Sequence, residues 1–330
     1  MKPPALLRMT APLREDFEIA YHDLGDAAAA PALALVAGIH GDELNGVFVL
    51  SRLAHFLTGV VAGQQPDHRL CERVIIVPAV NVLGINTRSR RWPFDGTDIN
   101  RMFPGYNAGE TTQRVAHAVL EVTLAARYRI DIHSSNLDFE ELPQVRLYEP
   151  NDSERDTARL FALPAIIERP MNAIFTSTIG HAWRVSGGQN FVMQAGQAGV
   201  LQPAHCDRLF RALVAFLSRT GILTGVELSE ADEDSHYFGV QHTFPLISEH
   251  AGLFVSRLEV GRWLQAGDVI GQVYDGFDGA LRHDAKAPVA GLLSGIRRQP
   301  LLFEGDLIAR IQTRQPVAEG VDTYLHGQGQ

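Results

Sequence analysis

Along the first two thirds of the chain, hydrophobic residues form either short strand-like runs or repeats at helical spacing. These two patterns predict its strands and helices. Residues 33–39 form an apolar run with the composition of a buried strand, and apolar positions after residue 43 recur at helical spacing. Further strand-like runs cover residues 74–80, 129–132, 145–148 and 190–193, and helical spacing recurs over residues 113–126, 153–163 and 205–218. Strands that alternate with helices predict an α/β fold, with a mostly parallel or mixed sheet flanked by helices.

The pattern changes in an acidic stretch, residues 228–235, which reads LSEADEDS. After it, residues 237–312 contain short β-prone runs broken by glycine, such as DVIGQVYD and DLIARIQ. We therefore predict two domains, residues 1–232 and residues 233–330. The second is predicted to be small and entirely β.

One polar interruption stands out in residues 37–46, which read AGIHGDELNG. His40 and Glu43 follow a predicted strand and precede a predicted helix, and in open α/β sheets ligands bind at that edge. An imidazole and a carboxylate three residues apart can both reach one Zn²⁺ ion. The alternative is a surface turn in which Asp42 caps the helix and Glu43 lies near its positive end.

A second histidine ends another predicted strand at the same edge, in the sequence IDIHSS. His133 can complete a set of two histidines and one glutamate, which leaves a fourth zinc position open, as in catalytic sites. Asp131, two residues earlier on the same strand face, either orients His133 or caps the edge of the sheet. Asn81 and Gln194 end two further strands at this edge.

The segment of residues 81–105 is rich in glycine, proline and arginine, which favours a long functional loop over a regular element. Arginine forks suit bidentate binding of carboxylates, so several of them on one loop indicate an anion pocket. The alternative is a solvated loop whose arginines pair with Asp95 and Asp98. The arginines are Arg88, Arg90, Arg91 and Arg101.

Composition limits the partners of this chain. Of its 330 residues, 45% are hydrophobic and 20% are charged, as expected for a protein with a sizeable core. The formal charge of −9 argues against nucleic acid, which requires a basic face. Two distant cysteines and the lack of a signal-peptide core predict a cytoplasmic protein without a membrane span.

Three blocks in this order, GIHGDE, DGTDINRMFPG and DIHSS, resemble the succinylglutamate desuccinylase and aspartoacylase family of zinc carboxypeptidase-like enzymes. The resemblance covers residues 30–215. It implies one zinc ion per chain, bound by His40, Glu43 and His133, and a small β-barrel-like or lipoyl-like domain beside the active site.

The resemblance also assigns residues to the substrate. It implies that Asn100 and Arg101 hold the substrate carboxylate and that an upstream arginine, Arg91 or Arg90, polarises the scissile carbonyl. Arg184 matches the place of a further carboxylate-binding arginine of the aspartoacylases.

One position departs from the family. Where the family has a glutamate that takes a proton from the attacking water and passes it to the leaving amine, this chain has Gln194. An amide can orient water but cannot accept its proton, and losing a general base typically costs about 10²- to 10⁴-fold in rate. Glu141, or its neighbour Glu140, is a candidate substitute.

Taken together, these features predict a zinc-dependent hydrolase of the linear amide bond of an N-acyl amino acid or a related small carboxylate-bearing amide. The alternative is a homologue that keeps the zinc but serves as a binding or sensory protein, because of Gln194. A small molecule is the expected partner, and the sequence leaves a homo-oligomer open.

Overall fold

The computed structural model describes residues 4–10, 13, 16–228 and 235–317. Its α-helices are α1 Leu44–Val61, α2 Val82–Thr87, α3 Thr111–Thr123, α4 Asp152–Ala158, α5 Ile179–Val185 and α6 Pro203–Arg219. Short 3₁₀ turns cover Ile99–Arg101, Arg159–Phe161, Ala173–Ser177 and Val240–His242.

The strands up to residue 228 are β1 Ala5–Met9, β2 Phe17–Ala20, β3 His22–Leu24, β4 Leu33–Ala37, β5 Arg69–Leu70, β6 Val74–Val77, β7 Tyr128–His133, β8 Phe139–Tyr148, β9 Ala165–Arg169, β10 Gln189–Gly196 and β11 Leu223–Thr224. The later strands are β12 His236–Phe238, β13 Thr243–Ile247, β14 Gly252–Ser256, β15 Trp263–Leu264, β16 Val269–Tyr274, β17 Leu281–Lys286, β18 Gly291–Arg297, β19 Leu301–Leu302 and β20 Leu307–Gln312.

A mixed sheet runs through the molecule in the order β13-β20-β18-β8-β10-β7-β4-β6-β3. Its centre, β10-β7-β4-β6, is parallel, and both flanks are antiparallel. β4 and β6 read LALVA and VIIV and are buried throughout, as strands covered on both faces must be. The predicted α/β fold with a mixed sheet is confirmed.

Helices cover both faces of this sheet. α1 and α6 pack together on one face, where Leu33 and Leu35 join their buried leucines. α3 and α5 cover the other face, over Ala34 and Val36. Among the described residues, only α1 is long and apolar enough to cross a membrane by length and composition, and 50% of that window is buried in the structure.

The strands after residue 235 are antiparallel to one another, which confirms the predicted all-β character of this part. β14, β16, β17 and β19 form a separate four-stranded sheet. β18 pairs with β8, and so attaches β20 and β13 to the main sheet. The predicted boundary falls at residues 229–234, outside the described residues, so the two-domain division stays a prediction.

Two local predictions differ from the structure. The segment of residues 81–105 contains α2, which begins because the Asn81 side chain accepts a hydrogen bond from the Gly84 amide. β8 begins at Phe139, well before the predicted start at residue 145, because Glu140 and Glu141 are buried with charged partners. A pattern of polarity cannot predict a strand whose buried positions are carboxylates.

Candidate active site

The carboxyl ends of β4, β7 and β10 meet at one edge of the sheet. His133 ends β7 in register with Gln194 on β10, and His40 lies just beyond the end of β4. Between His40 and α1 the chain passes close to Gly84. A Cβ atom at Gly41 would lie 2.3 Å from the Gly84 carbonyl carbon, so only glycine permits this turn.

Three side chains lie close together at this edge, those of His40, Glu43 and His133. Their ligand atoms all lie within 4.8 Å of one another. Glu43 Oε1 is 2.6 Å from His40 Nδ1, and Glu43 Oε2 is 2.9 Å from His133 Nδ1. Two imidazole nitrogens and a carboxylate are a donor set that zinc accepts, so these residues fit a zinc ion.

Two aspartates hold the outer ring nitrogens of these histidines. Asp131 Oδ2 lies 2.6 Å from His133 Nε2, and Asp98 Oδ1 lies 3.3 Å from His40 Nε2. A carboxylate on the far nitrogen fixes the tautomer and the orientation of a ligating histidine. For Asp131 this contact favours orientation of His133 over capping of the sheet. For Asp98 the contact was not predicted, although Asp98 lies in the block DGTDINRMFPG.

The charges around His40, Glu43 and His133 favour the binding of a cation. Burial would raise the pKa of Glu43, but the charges and hydrogen bonds of His40 and His133 lower it well below its usual range. Burial would lower the pKa of His133, but Asp131 and Glu43 raise it well above its usual range. A cation at this position therefore meets an ionised Glu43 carboxylate.

The arginine beside the cluster is Arg90. Its Nη1 donates to Glu43 Oε1 at 2.7 Å, and its Nη2 lies 3.3 Å from His40 Nε2. The Arg90 carbonyl accepts hydrogen bonds from the Gly41 amide and the Asn81 side chain, which fixes this backbone beside the His40 turn.

Of the two arginines predicted near the scissile carbonyl, the structure places Arg90 rather than Arg91 beside the cluster. Arg91 is exposed, and it does not line the cavity in front of the cluster.

The other predicted substrate residues line this cavity, whose volume is about 510 Å³. Asn100 is buried, and its Oδ1 accepts a hydrogen bond from the Ile179 amide at the start of α5 at 3.1 Å. Arg101 lies next to it, and its Nη1 donates to the Asn100 carbonyl at 3.1 Å. Arg184 also lines the cavity, where it donates to the carbonyls of Tyr148 and Glu149.

Gln194 and Glu141 both line the cavity, in different settings. Gln194 is 5% exposed and lies next to His133 across the parallel ladder. Both oxygens of Glu141 accept from arginines, Oε2 from Arg146 and Oε1 from Arg310 at 2.7 Å. Burial would raise the pKa of Glu141, but the charges of Arg146 and Arg310 lower it. Such a carboxylate holds its charge rather than exchanging protons.

Glu140, the other candidate base, points away from the cavity. Its Oε1 accepts from His205 and Gln202 near the start of α6, and its Oε2 accepts from Arg298. Residues of the later strands and of the turn between β19 and β20 complete the cavity wall, and they were not predicted. They are Arg297, Phe303, Asp306, Leu307 and Arg310.

Comparison with known proteins agrees with this geometry. The model of the succinylglutamate desuccinylase/aspartoacylase catalytic domain matches residues 29–219. An N-alpha-acetyl-L-2,4-diaminobutyric acid deacetylase from Halomonas elongata is 29% identical over 294 residues, which are 85% of this chain and 82% of that protein.

Solved structures share the fold. A succinylglutamate desuccinylase from a Silicibacter species has a TM-score of 0.75 at 23% identity and covers 94% of both chains. The product-bound ectoine utilization protein EutE (DoeB) from Ruegeria pomeroyi has a TM-score of 0.71 at 22% identity and covers 90% of both chains. The resemblance predicted from the three sequence blocks is confirmed.

Proposed function

The chain belongs to the succinylglutamate desuccinylase/aspartoacylase family, whose members are deacylases of N-acyl amino acids, and on that premise we propose that it is a zinc-dependent hydrolase of such an amide. The substrate is an N-acyl amino acid or a related small amide that bears a carboxylate. The observation that carries the proposal is the convergence of His40, Glu43 and His133 at the wall of a cavity large enough for such a molecule.

Zinc bound by these three residues would supply Lewis-acid activation of the scissile carbonyl and of water. Arg90 lies against Glu43 and His40, where its guanidinium stabilises the negative charge that develops on the carbonyl oxygen. Because the Arg90 backbone is held by Gly41 and Asn81, the positive charge of the Arg90 guanidinium is in place before the substrate binds.

Asn100 and Arg101 dock the carboxylate of the substrate. Asn100 is tied to the start of α5, and Arg101 is tied to the Asn100 carbonyl, so the two side chains hold a defined position relative to His40. A planar guanidinium binds both oxygens of a carboxylate and thereby orients the amide bond.

Gln194 orients the attacking water. Its amide can donate to that water or accept from it, but it cannot take the proton. The water oxygen adds to the carbonyl carbon, the C–N bond breaks, and the proton reaches the leaving amine through solvent in the cavity. Both oxygens of Glu141 are occupied by arginines, which argues against Glu141 as the carrier of that proton.

A second candidate function rests on Gln194. Without a general base the rate is expected to fall by about 10²- to 10⁴-fold, so the chain would then serve as a zinc-retaining binding or sensory protein.

A cytoplasmic location, the absence of nucleic-acid and membrane partners, and a homo-oligomeric state stay predictions from the sequence.

One experiment separates the two functions. Protein purified without chelators is assayed for zinc and then for amine release from N-acetyl and N-succinyl amino acids, including N-α-acetyl-L-2,4-diaminobutyrate. A hydrolase releases amine, loses the activity with a chelator and recovers it with added zinc. A protein that holds one zinc ion per chain and binds these amides without amine release is the binding homologue.

A further inference from the structure

A row of three polar side chains crosses the sheet beside the cavity. His133 on β7 is in register with Gln194 on β10, and Gln194 is directly opposite Gln144 on β8. Side chains at paired positions of neighbouring strands point to the same face of a sheet. His133 and Gln194 line the cavity, so Gln144 points to the cavity face of the sheet as well. Gln144 was not predicted to have a role in the site.

Gln144 is enclosed by its neighbours rather than open to the cavity. It is 1% exposed, and it does not line the cavity as Gln194 does. On the side away from Gln194 its ladder neighbour is Ala165 on β9. Gln144 therefore has an apolar neighbour on one side and the Gln194 amide on the other. Ala165 belongs to a small buried apolar cluster with Leu142, Ile167, Phe238 and Leu292.

The amide of Gln144 has unused hydrogen-bonding capacity. Its Nε2 and Oε1 atoms are both buried, and neither has a hydrogen-bond partner within the described part of the chain. Leaving a buried donor and a buried acceptor unpaired destabilises a fold. Buried polar groups are generally satisfied either by protein groups or by ordered water molecules. A buried amide with both ends unpaired beside a cavity therefore indicates a site for a small polar ligand.

Gln194 is the neighbour that can share such a ligand with Gln144. The Cβ atoms of directly opposite residues lie roughly 4.5–5.5 Å apart, and the two side chains have the same length. Because Gln144 has no partner among the described residues, the two amides are not within hydrogen-bond distance of each other. A single water molecule can bridge two polar groups that are too far apart for a direct hydrogen bond.

The other polar groups nearby on β8 do not replace this partner. The buried Nε of Arg146, two residues along the strand, also lacks a hydrogen-bond partner among the described residues. It can only donate, so it cannot accept from Gln144 Nε2. Both oxygens of Glu141 already accept from arginines.

We propose that Gln144 and Gln194 bind one water molecule between their amides, and that Gln144 is thereby a positioning residue for Gln194. The bridging water takes one end of the Gln194 amide, and the other end faces the attacking water in the cavity. Without Gln144 this amide can turn about its last torsion angle, which exchanges its donor and acceptor ends. The proposal rests on the proposed function, in which Gln194 orients the attacking water.

The first test needs no turnover. A crystal structure of the zinc-loaded protein, at a resolution that shows ordered water, should contain a water molecule within about 3.2 Å of both amides. The same structure of Gln144→Met should lack it, because a thioether of similar length offers no amide. Absence of this water from the native protein would overturn the proposal, as would a Gln144 amide that binds only protein groups.

The second test measures the positioning role by kinetics. Gln144→Met should lower kcat by about tenfold, the effect of one hydrogen bond, and leave KM nearly unchanged. The melting temperature should change little, since methionine fills the same space. In the Gln194→Ala background the same substitution should have no further effect, because Gln144 acts only through Gln194. Gln65→Met changes an exposed glutamine outside the cavity and should alter neither kcat nor KM.

A purely structural role gives different results. If Gln144 only fills space, kcat is unchanged in Gln144→Met, or it falls equally with and without Gln194, and either result would overturn the positioning role. Failure of the proposed function is seen separately, as a lack of amine release from every N-acyl amino acid by the native protein. The water site is then judged from the crystal structures alone.

Discussion

Two regions of the cavity have opposite charge arrangements. Around His40 and His133 lie three carboxylates, Glu43, Asp98 and Asp131, with one arginine, Arg90. In the cavity wall formed by β8, β9 and β20, the single carboxylate of Glu141 pairs with Arg146 and Arg310, and Arg169 lies nearby. We call these four residues the arginine cluster. The first region has more carboxylates than arginines, and the second has more arginines than carboxylates.

Because of this difference, the two regions of one small cavity favour ligand groups of opposite charge. A zinc ion would balance the acidic region and leave it able to polarise a carbonyl, whereas in the arginine cluster Glu141 already pairs with two of the three arginines. Gln194 lies between the two, since β10 pairs with β7 on one side and β8 on the other. Variants that alter one region should therefore leave the other measurable.

The largest expected effect comes from removing a zinc ligand. His133→Ala should lose zinc and reduce turnover by about 10³-fold or more, because the metal contributes several kcal/mol of transition-state stabilisation. Elemental analysis and amine-release assays measure both quantities. The exposed His55 provides a matched control, and His55→Ala should keep zinc and turnover. Full zinc occupancy in His133→Ala would remove His133 from the ligand set.

The next largest effect concerns the residue between the two regions. Gln194→Glu should raise turnover by up to about 10²-fold, because a carboxylate can accept the proton of the attacking water. That carboxylate works only when ionised, so the activity of the variant should fall as the pH drops through its pKa. The native amide has no such acidic limb.

A contrary result would assign proton transfer elsewhere. If Glu141 already acts as the base, Gln194→Glu should leave turnover unchanged or lower it, and Glu141→Gln should be the damaging change. Because Glu141 also neutralises Arg146 and Arg310, the folded state of Glu141→Gln must first be checked by circular dichroism.

Sequence patterns predict the acidic region better than the arginine cluster, for a physical reason. His40, Glu43 and His133 directly follow apolar strands, so their placement at one sheet edge follows from local periodicity. Arg146 and Arg310 meet only because β8, β18 and β20 pair across a large distance in sequence. No local pattern predicts that pairing, and β8 itself extends through buried carboxylates.

Which side chains reach the acidic region also depends on tertiary contacts. Arg90 rather than Arg91 faces Glu43 because the Arg90 carbonyl binds the Gly41 amide, a contact between two loops. The contact of Asp98 with His40 arises in the same way, since the 3₁₀ turn that starts after Asp98 places its carboxylate beside the ring. The sequence identifies the segments that form the site, and the packing of their backbones selects the side chains that reach it.

A smaller effect is expected from the residues that orient the histidines. Asp131→Asn should weaken zinc binding by about 10- to 100-fold, since an amide stabilises the ligating imidazole less than a carboxylate does. Asp98→Asn should cost less, because its oxygen lies 3.3 Å from His40 Nε2 whereas that of Asp131 lies 2.6 Å from His133 Nε2. Competition with a chelator measures both affinities. Equal losses would show that the two contacts contribute equally.

The smallest expected effect tests the carboxylate that is common to all N-acyl amino acids. Arg101→Lys should weaken substrate binding by about tenfold, because an ammonium cannot reproduce the two parallel hydrogen bonds of a guanidinium. The loss should show in KM and should disappear for substrates whose α-carboxylate is amidated. Arg91→Lys is the matched control on the same segment, since Arg91 is exposed and outside the cavity. Equal losses on the free and amidated substrates would make Arg101 a structural residue, and a loss in Arg91→Lys would return Arg91 to the site.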